Sequence, residues 1–203
     1  MIQEIGKHKV RCGDVMDDLS ELYKDVKVDI MYTDPPWMNL NYWQTLNNKD
    51  TGALKKNIDN EQFINRLFEV ACLYLKEDGI LFMEFGKKWN EQIVQRARWY
   101  GFNNAKSIEL LYGSPARPCM LNIFTRSMLI FPEEYESHVW HTKGYETLKQ
   151  AVTPFAKEGN VITDPCCGCG YTAQIAVDTG MVFYGNELNQ KRLDKTIKRL
   201  SNG

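Results

Sequence analysis

The sequence predicts an α/β fold, a mostly parallel sheet with helices on both faces. Two observations carry the prediction. Short apolar runs alternate with segments whose apolar residues recur every three or four positions, and two of the runs end in proline- or glycine-rich loops. Strands separated by helices return to the sheet in the same direction, so the loops at their carboxyl ends gather along one edge.

In chain order, residues 8–12 form a short strand ending at Gly13–Asp14, and residues 15–22 a short helix. Residues 28–33 are a compact strand leading into Asp34–Pro35–Pro36–Trp37, whose prolines lack the backbone donors a continuing strand or helix needs. Residues 38–59 are polar and aperiodic, a loop long enough to carry function. The strongest helix signal spans residues 61–76, where Phe63, Ile64, Leu67, Phe68, Ala71, Cys72 and Leu75 share one face, with Asp59 or Asn60 as cap. An apolar strand follows at residues 80–85, interrupted by Glu84 alone. Next come a helix at 89–100, strands at 108–112 and 121–131, a helix at 145–155 and a strand at 160–163. The chain closes with a helix at 171–179 ended by Gly180, a strand at 181–184 and a helix at 190–200 capped by Asn189.

At 203 residues, 43% hydrophobic and 25% charged, the chain is expected to be one soluble domain, residues 1–203, with no linker or separate target-recognition domain. No stretch is long enough to span a membrane, and the N-terminus lacks a secretory h-region. Six cysteines then read as reduced thiols in a cytoplasmic protein. A net charge of −1 argues against a uniformly basic nucleic-acid binder, although residues 87–126 carry seven basic residues against two acids, a strip able to follow phosphates.

Two loops hold the chemistry. In Asp164–Pro165–Cys166–Cys167–Gly168–Cys169–Gly170, glycines let backbone approach a ligand, and about twenty residues on Glu187 ends the next strand, placed to accept a ribose diol. Gly168, Gly170 and Ala173 also fit the dinucleotide pattern G-x-G-x-x-G/A. Asp164 would repel a pyrophosphate, however, and suits the cationic sulfonium and ammonium of S-adenosyl-L-methionine. A single helix expected after Glu187 also leaves the second half of a dinucleotide fold unaccounted for. Cys166 and Cys169 have C-x-x-C spacing without a second ligand pair, so no metal site is expected.

Together these motifs resemble the S-adenosylmethionine-dependent amino-methyltransferases in the circularly permuted β order. The family's catalytic [D/N/S]-P-P-[Y/F/W] is matched by Asp34, Pro35, Pro36 and Trp37, its cofactor loop by Asp164, Pro165, Gly168 and Gly170, with Cys166 at a variable position of that cofactor-binding loop, and its ribose acid by Glu187. The resemblance implies a Rossmann-like methyltransferase fold in which an N-terminal strand follows the last one in space. It also implies that Asp14, in Gly13–Asp14, approaches the cofactor adenine, and that Lys143 contacts the cofactor through a loose form of a His-Pro-x-x-Lys-Pro motif.

The activity so implied is N6 methylation of adenine in DNA, with Asp34 and the Pro35 carbonyl accepting the amine hydrogens and Trp37 stacking on a flipped base. Adenine in RNA and N4 of cytosine are the nearest alternatives; a non-catalytic nucleic-acid-binding subunit is another. Tyr42 and Trp43 could clamp the base or pin the loop to the core. Target recognition is expected from the long loop, a homodimer or a heteromeric partner.

Overall fold

The computed structural model describes residues 2–37, 59–112 and 117–202. The predicted base contacts Tyr42 and Trp43 lie outside them. Among the described residues the strands are β1 (Ile2–Ile5), β2 (His8–Cys12), β3 (Val28–Thr33), β4 (Leu75–Gly86), β5 (Asn103–Tyr112), β6 (Arg117–Thr125), β7 (Val139–Trp140), β8 (Val161–Asp164) and β9 (Val182–Glu187). They form one sheet in the order β1-β2-β9-β8-β3-β4-β6-β5-β7. The run β2, β9, β8, β3, β4 is parallel throughout, while β1 and β6 run against their neighbours.

Among the described residues the α-helices are α1 (Ser20–Tyr23), α2 (Asn60–Tyr74), α3 (Asn90–Trp99), α4 (Tyr145–Val152), α5 (Tyr171–Thr179) and α6 (Gln190–Ser201). On one face of the sheet, α1, α2 and α3 bury Leu22, Leu67, Phe68 and Ala97 against Met31, Leu81 and Met83. On the other, α4, α5 and α6 bury Leu148, Ala173 and Leu193 against Ile30, Phe82 and Ile162. Alternate residues of β3 and β4 therefore serve opposite cores, and both strands must be apolar throughout. Each large apolar side chain so buried contributes about 1.5–3 kcal/mol.

The order of connection positions the site. From β3 the chain passes through α2 to β4 on one side, and from β8 through α5 to β9 on the other, so β3 and β8 are the adjacent strands at which the winding reverses. Ligands in such sheets sit outside the carboxyl ends at that point.

Several element boundaries differ from expectation, each for a local reason. The helix expected at 15–22 is only Ser20–Tyr23, because Asp14 accepts from the Met16 N–H and Asp18 from the Ser20 N–H, turns that compete with helix. The helix expected to reach residue 76 stops at Tyr74, since Leu75 already pairs with Val28; the pairing then skips to Ile30–Ile80. The strand expected to continue to residue 131 ends at Thr125, whose hydroxyl takes the Ser127 N–H. Residues 153–155 tighten into a 3-10 turn at Pro154. Strand β1, outside the elements expected from the sequence, pairs with β2 as a hairpin. No helix among the described residues is long and apolar enough to cross a membrane.

Candidate active site

Asp34 follows the last residue of β3, and Asp164 is the last residue of β8. Their strands pair at Ile30–Ile162 and Met31–Thr163, so the two predicted motifs, 130 residues apart in sequence, meet at one edge of the sheet. The Asp34 side chain is exposed, and Trp37 Nε1 donates to its Oδ1 at 3.1 Å. Desolvation nonetheless pushes its carboxyl above the usual range, opposed by the Trp37 N–H. Asp34 is thus reachable by solvent while the packing around it disfavours the charged form. Pro35 behind it is buried, and Pro36 and Trp37 are half-buried.

A second acid lies alongside. Pairing of Thr33 with Met83 brings Glu84 level with Asp34 on the same face of the sheet. Glu84 is 3% exposed, and Tyr32 donates its hydroxyl to Oε1. Burial first, then the charge of Asp34, raises the Glu84 carboxyl well above its ordinary value. Sequence reasoning gave Glu84 no role, although an acid interrupting an apolar strand was the available signal.

The glycine loop is built on its own acids. Asp164, 5% exposed, accepts from the Cys166 N–H at 3.0 Å and the Thr172 hydroxyl at 2.7 Å. Burial raises it to about 7 against those two hydrogen bonds, with the charges of Asp34 and Glu187 adding to the rise. Glu187 accepts from the Gly168 N–H at 2.8 Å and the Asn189 N–H at 2.9 Å, one bond to each oxygen. Gly170 adopts φ +85°, and a Cβ there would lie 2.8 Å from the Thr196 Cα, so this glycine serves close packing of the loop on α6. A Cβ on Gly168 would meet nothing nearer than 4.0 Å, which leaves that backbone open to a ligand.

Asn186, whose role has no signal in the sequence, joins the third loop. Its amide donates to the carbonyls of Gly13 and Pro165, both at 3.1 Å, and its oxygen accepts from Arg11 at 2.7 Å. With β2 pairing Cys12 to Glu187, the Gly13–Asp14 turn lies beside the end of β9 and Glu187. Lys143 is exposed; the next residue, Gly144, lies against Tyr171 at the start of α5. Cys166 and Cys167 have thiols raised by burial, which keeps them protonated and unreactive. Among the described residues, no group of three or more His, Cys, Asp or Glu side chains is placed to hold a metal ion.

Among the described residues, Asp34, Glu84 and Asp164 form no ion pair. Clustered carboxyls without a cation raise one another and favour a positively charged ligand. The open backbone at Gly168, beside Glu187, adds room for a ribose. The residues present therefore fit a cationic nucleoside cofactor.

No protein-family model matches the chain. It is 24% identical to the Type II methyltransferase M.MwoI of Methanothermobacter wolfeii over 96% of its own length, and spans about a third (34%) of that relative. Among solved structures it is similar to TTHA0409, a candidate DNA modification methylase of Thermus thermophilus, complexed with S-adenosyl-L-methionine. The TM-score is 0.69 at 16% identity, over 96% of this chain and 93% of that one. It is also similar to PvuII DNA methyltransferase, which is cytosine-N4-specific, with a TM-score of 0.63 at 13% identity, over 97% and 93% of the two chains. The chain thus has the Rossmann-like methyltransferase fold, with its N-terminal strand β2 beside β9 and both motif loops at the reversal of winding.

Proposed function

We propose that this chain transfers the methyl group of S-adenosyl-L-methionine to the exocyclic N6 of adenine in DNA. The observation that carries the reading is Asp34, a solvent-reachable carboxylate at the winding reversal, next to buried acids that have no cation of their own among the described residues. Bound there, S-adenosyl-L-methionine supplies a methyl group on a cationic sulfur. The loop from Asp164 through Pro165 and Cys166 to Gly168 and Gly170 would hold its amino-acid portion, Glu187 its ribose and Asp14 its adenine, with Lys143 near the entry to α4.

An aromatic amine is a weak nucleophile because its lone pair is conjugated into the ring. Asp34 Oδ2 and the Pro35 carbonyl accept its two hydrogens, which turns the lone pair toward the methyl group. The nitrogen would take the methyl group as the S–C electron pair returns to sulfur, and one of its protons would pass to Asp34 Oδ2 and from there to solvent. The prolines hold both acceptors before the reaction begins, so little reorganisation remains. Trp37 supplies an aromatic surface for a base outside the stack.

DNA as substrate draws on the relatives, and adenine on the acid at the first motif position. The cytosine-N4 enzyme with the same fold makes cytosine the second reading. Target recognition is assigned to a partner, a second copy or segments outside the described residues. Incubating the protein with labelled cofactor and duplex DNA, single-stranded DNA or RNA, then digesting to nucleosides, tests this. N6-methyladenosine from DNA is the expected product; N4-methylcytosine or a product from RNA alone would replace the reading. Absence of any product, with cofactor bound, would favour a non-catalytic subunit.

A further inference from the structure

The fourth position of the catalytic motif does more in this structure than offer a flat ring. Trp37 Nε1 donates to Asp34 Oδ1 at 3.1 Å, which leaves Oδ2 without a partner among the described residues. The indole packs against both hydrophobic cores at the end of the sheet. Its place there depends on Gly86, the last residue of β4. A Cβ on Gly86 would lie 3.3 Å from Trp37 Cε3 and 2.8 Å from Trp89 Cζ3. Two indoles therefore share the space that the absent side chain leaves.

We propose that Trp37 is a positioning residue for Asp34 and that Gly86 makes its seat: the indole N–H fixes Oδ1 so that Oδ2 meets the substrate amine. This deepens the reading of Asp34 as acceptor and rests on it. A phenylalanine here keeps an aromatic face for a base but has no donor. An aromatic used only for stacking would tolerate that exchange; a positioning residue would not. The direction of the charge effect also follows, since a donor to a carboxylate favours the ionised form.

The test does not depend on turnover. In the cofactor-free protein, the carboxyl carbon of Asp34 is titrated by NMR in wild type, Trp37→Phe and Gly86→Ala, and the indole N–H of Trp37 is followed in wild type over the same pH range. Trp37→Phe is expected to raise the Asp34 midpoint by about one unit, and Gly86→Ala by less. The Trp37 indole resonance is expected to move with that midpoint in the unmutated protein, which keeps the test valid even if a variant fails to fold. With a methylatable substrate, Trp37→Phe is expected to lower kcat roughly tenfold or more, with cofactor affinity unchanged and the acid limb of the pH profile moved up in step. An indole resonance indifferent to the Asp34 titration, or an Asp34 midpoint equal in wild type and Trp37→Phe, would overturn the proposal. An absence of methyl transfer in wild type with the titration shift intact would overturn the functional reading instead.

Discussion

The two halves of the site use carboxylates in opposite ways. At the end of β3, Asp34 stands open, with one oxygen held by an indole and the other presented. At the ends of β8 and β9, Asp164 and Glu187 are buried and each oxygen already accepts a hydrogen bond from the loop it shapes. The first arrangement suits a group that must engage a reacting atom. The second suits a cradle that exists before its ligand arrives. One kind of residue thus serves chemistry or architecture according to whether its lone pairs are left free.

The largest expected effect separates the two roles. Asp34→Ala should cost at least about 100-fold in kcat, as loss of a preorganised polar group does. Calorimetric affinity for the cofactor and the thermal midpoint should stay near wild type. Asp164→Ala should do the reverse at its origin: the Cys166 N–H and Thr172 hydroxyl lose their acceptor, so stability should fall by about 2–3 kcal/mol in denaturant titrations and cofactor binding should be lost with it. Equal behaviour of the two variants would erase the contrast.

A smaller effect sharpens the contrast further. Asn186→Ala leaves the carbonyls of Gly13 and Pro165 and the Arg11 guanidinium each short of a partner, which should cost about 1–2 kcal/mol and weaken cofactor binding without altering the product. A further expected effect is on pH dependence. Asp164 is raised to about 7, so between about pH 4 and 7 the folded cofactor-free protein holds a proton the unfolded chain has released. Stability should therefore decline as pH rises through that window, and Glu84, raised in the same sense, extends the decline above it. Binding a cation should reverse this by favouring the ionised acids. Calorimetry in buffers of different ionisation enthalpy should show proton release on cofactor binding, and proton uptake would contradict the clustered-acid picture.

Much of this was legible in the chain. The period of α2, with Phe63, Ile64, Leu67, Phe68 and Ala71 on one face, specified a helix that the structure contains, and Asp59 caps it as expected. The apolar runs of β3 and β4 marked central strands because both faces of each are covered. Asp34 and Asp164 were visible because prolines and glycines beside them break regular structure. Glu84 and Asn186 were harder to see, since each sits inside a strand and gains its meaning from a neighbour far away in sequence: Asp34 for one, the Gly13 and Pro165 carbonyls for the other.

What the sequence alone determined is local: which segments carry a strand or helix signal, and which two loops carry unusual chemistry. Periodicity, caps and turn residues act over a few positions, so the order of residues suffices. Only the tertiary structure decided that β8 inserts next to β3 and that an acid of β4 comes level with Asp34, whereas β2 beside β9 is what the motif order already implied. Strand neighbours are selected by how whole sheet faces bury against helices, a free energy summed over both cores, which no short stretch contains.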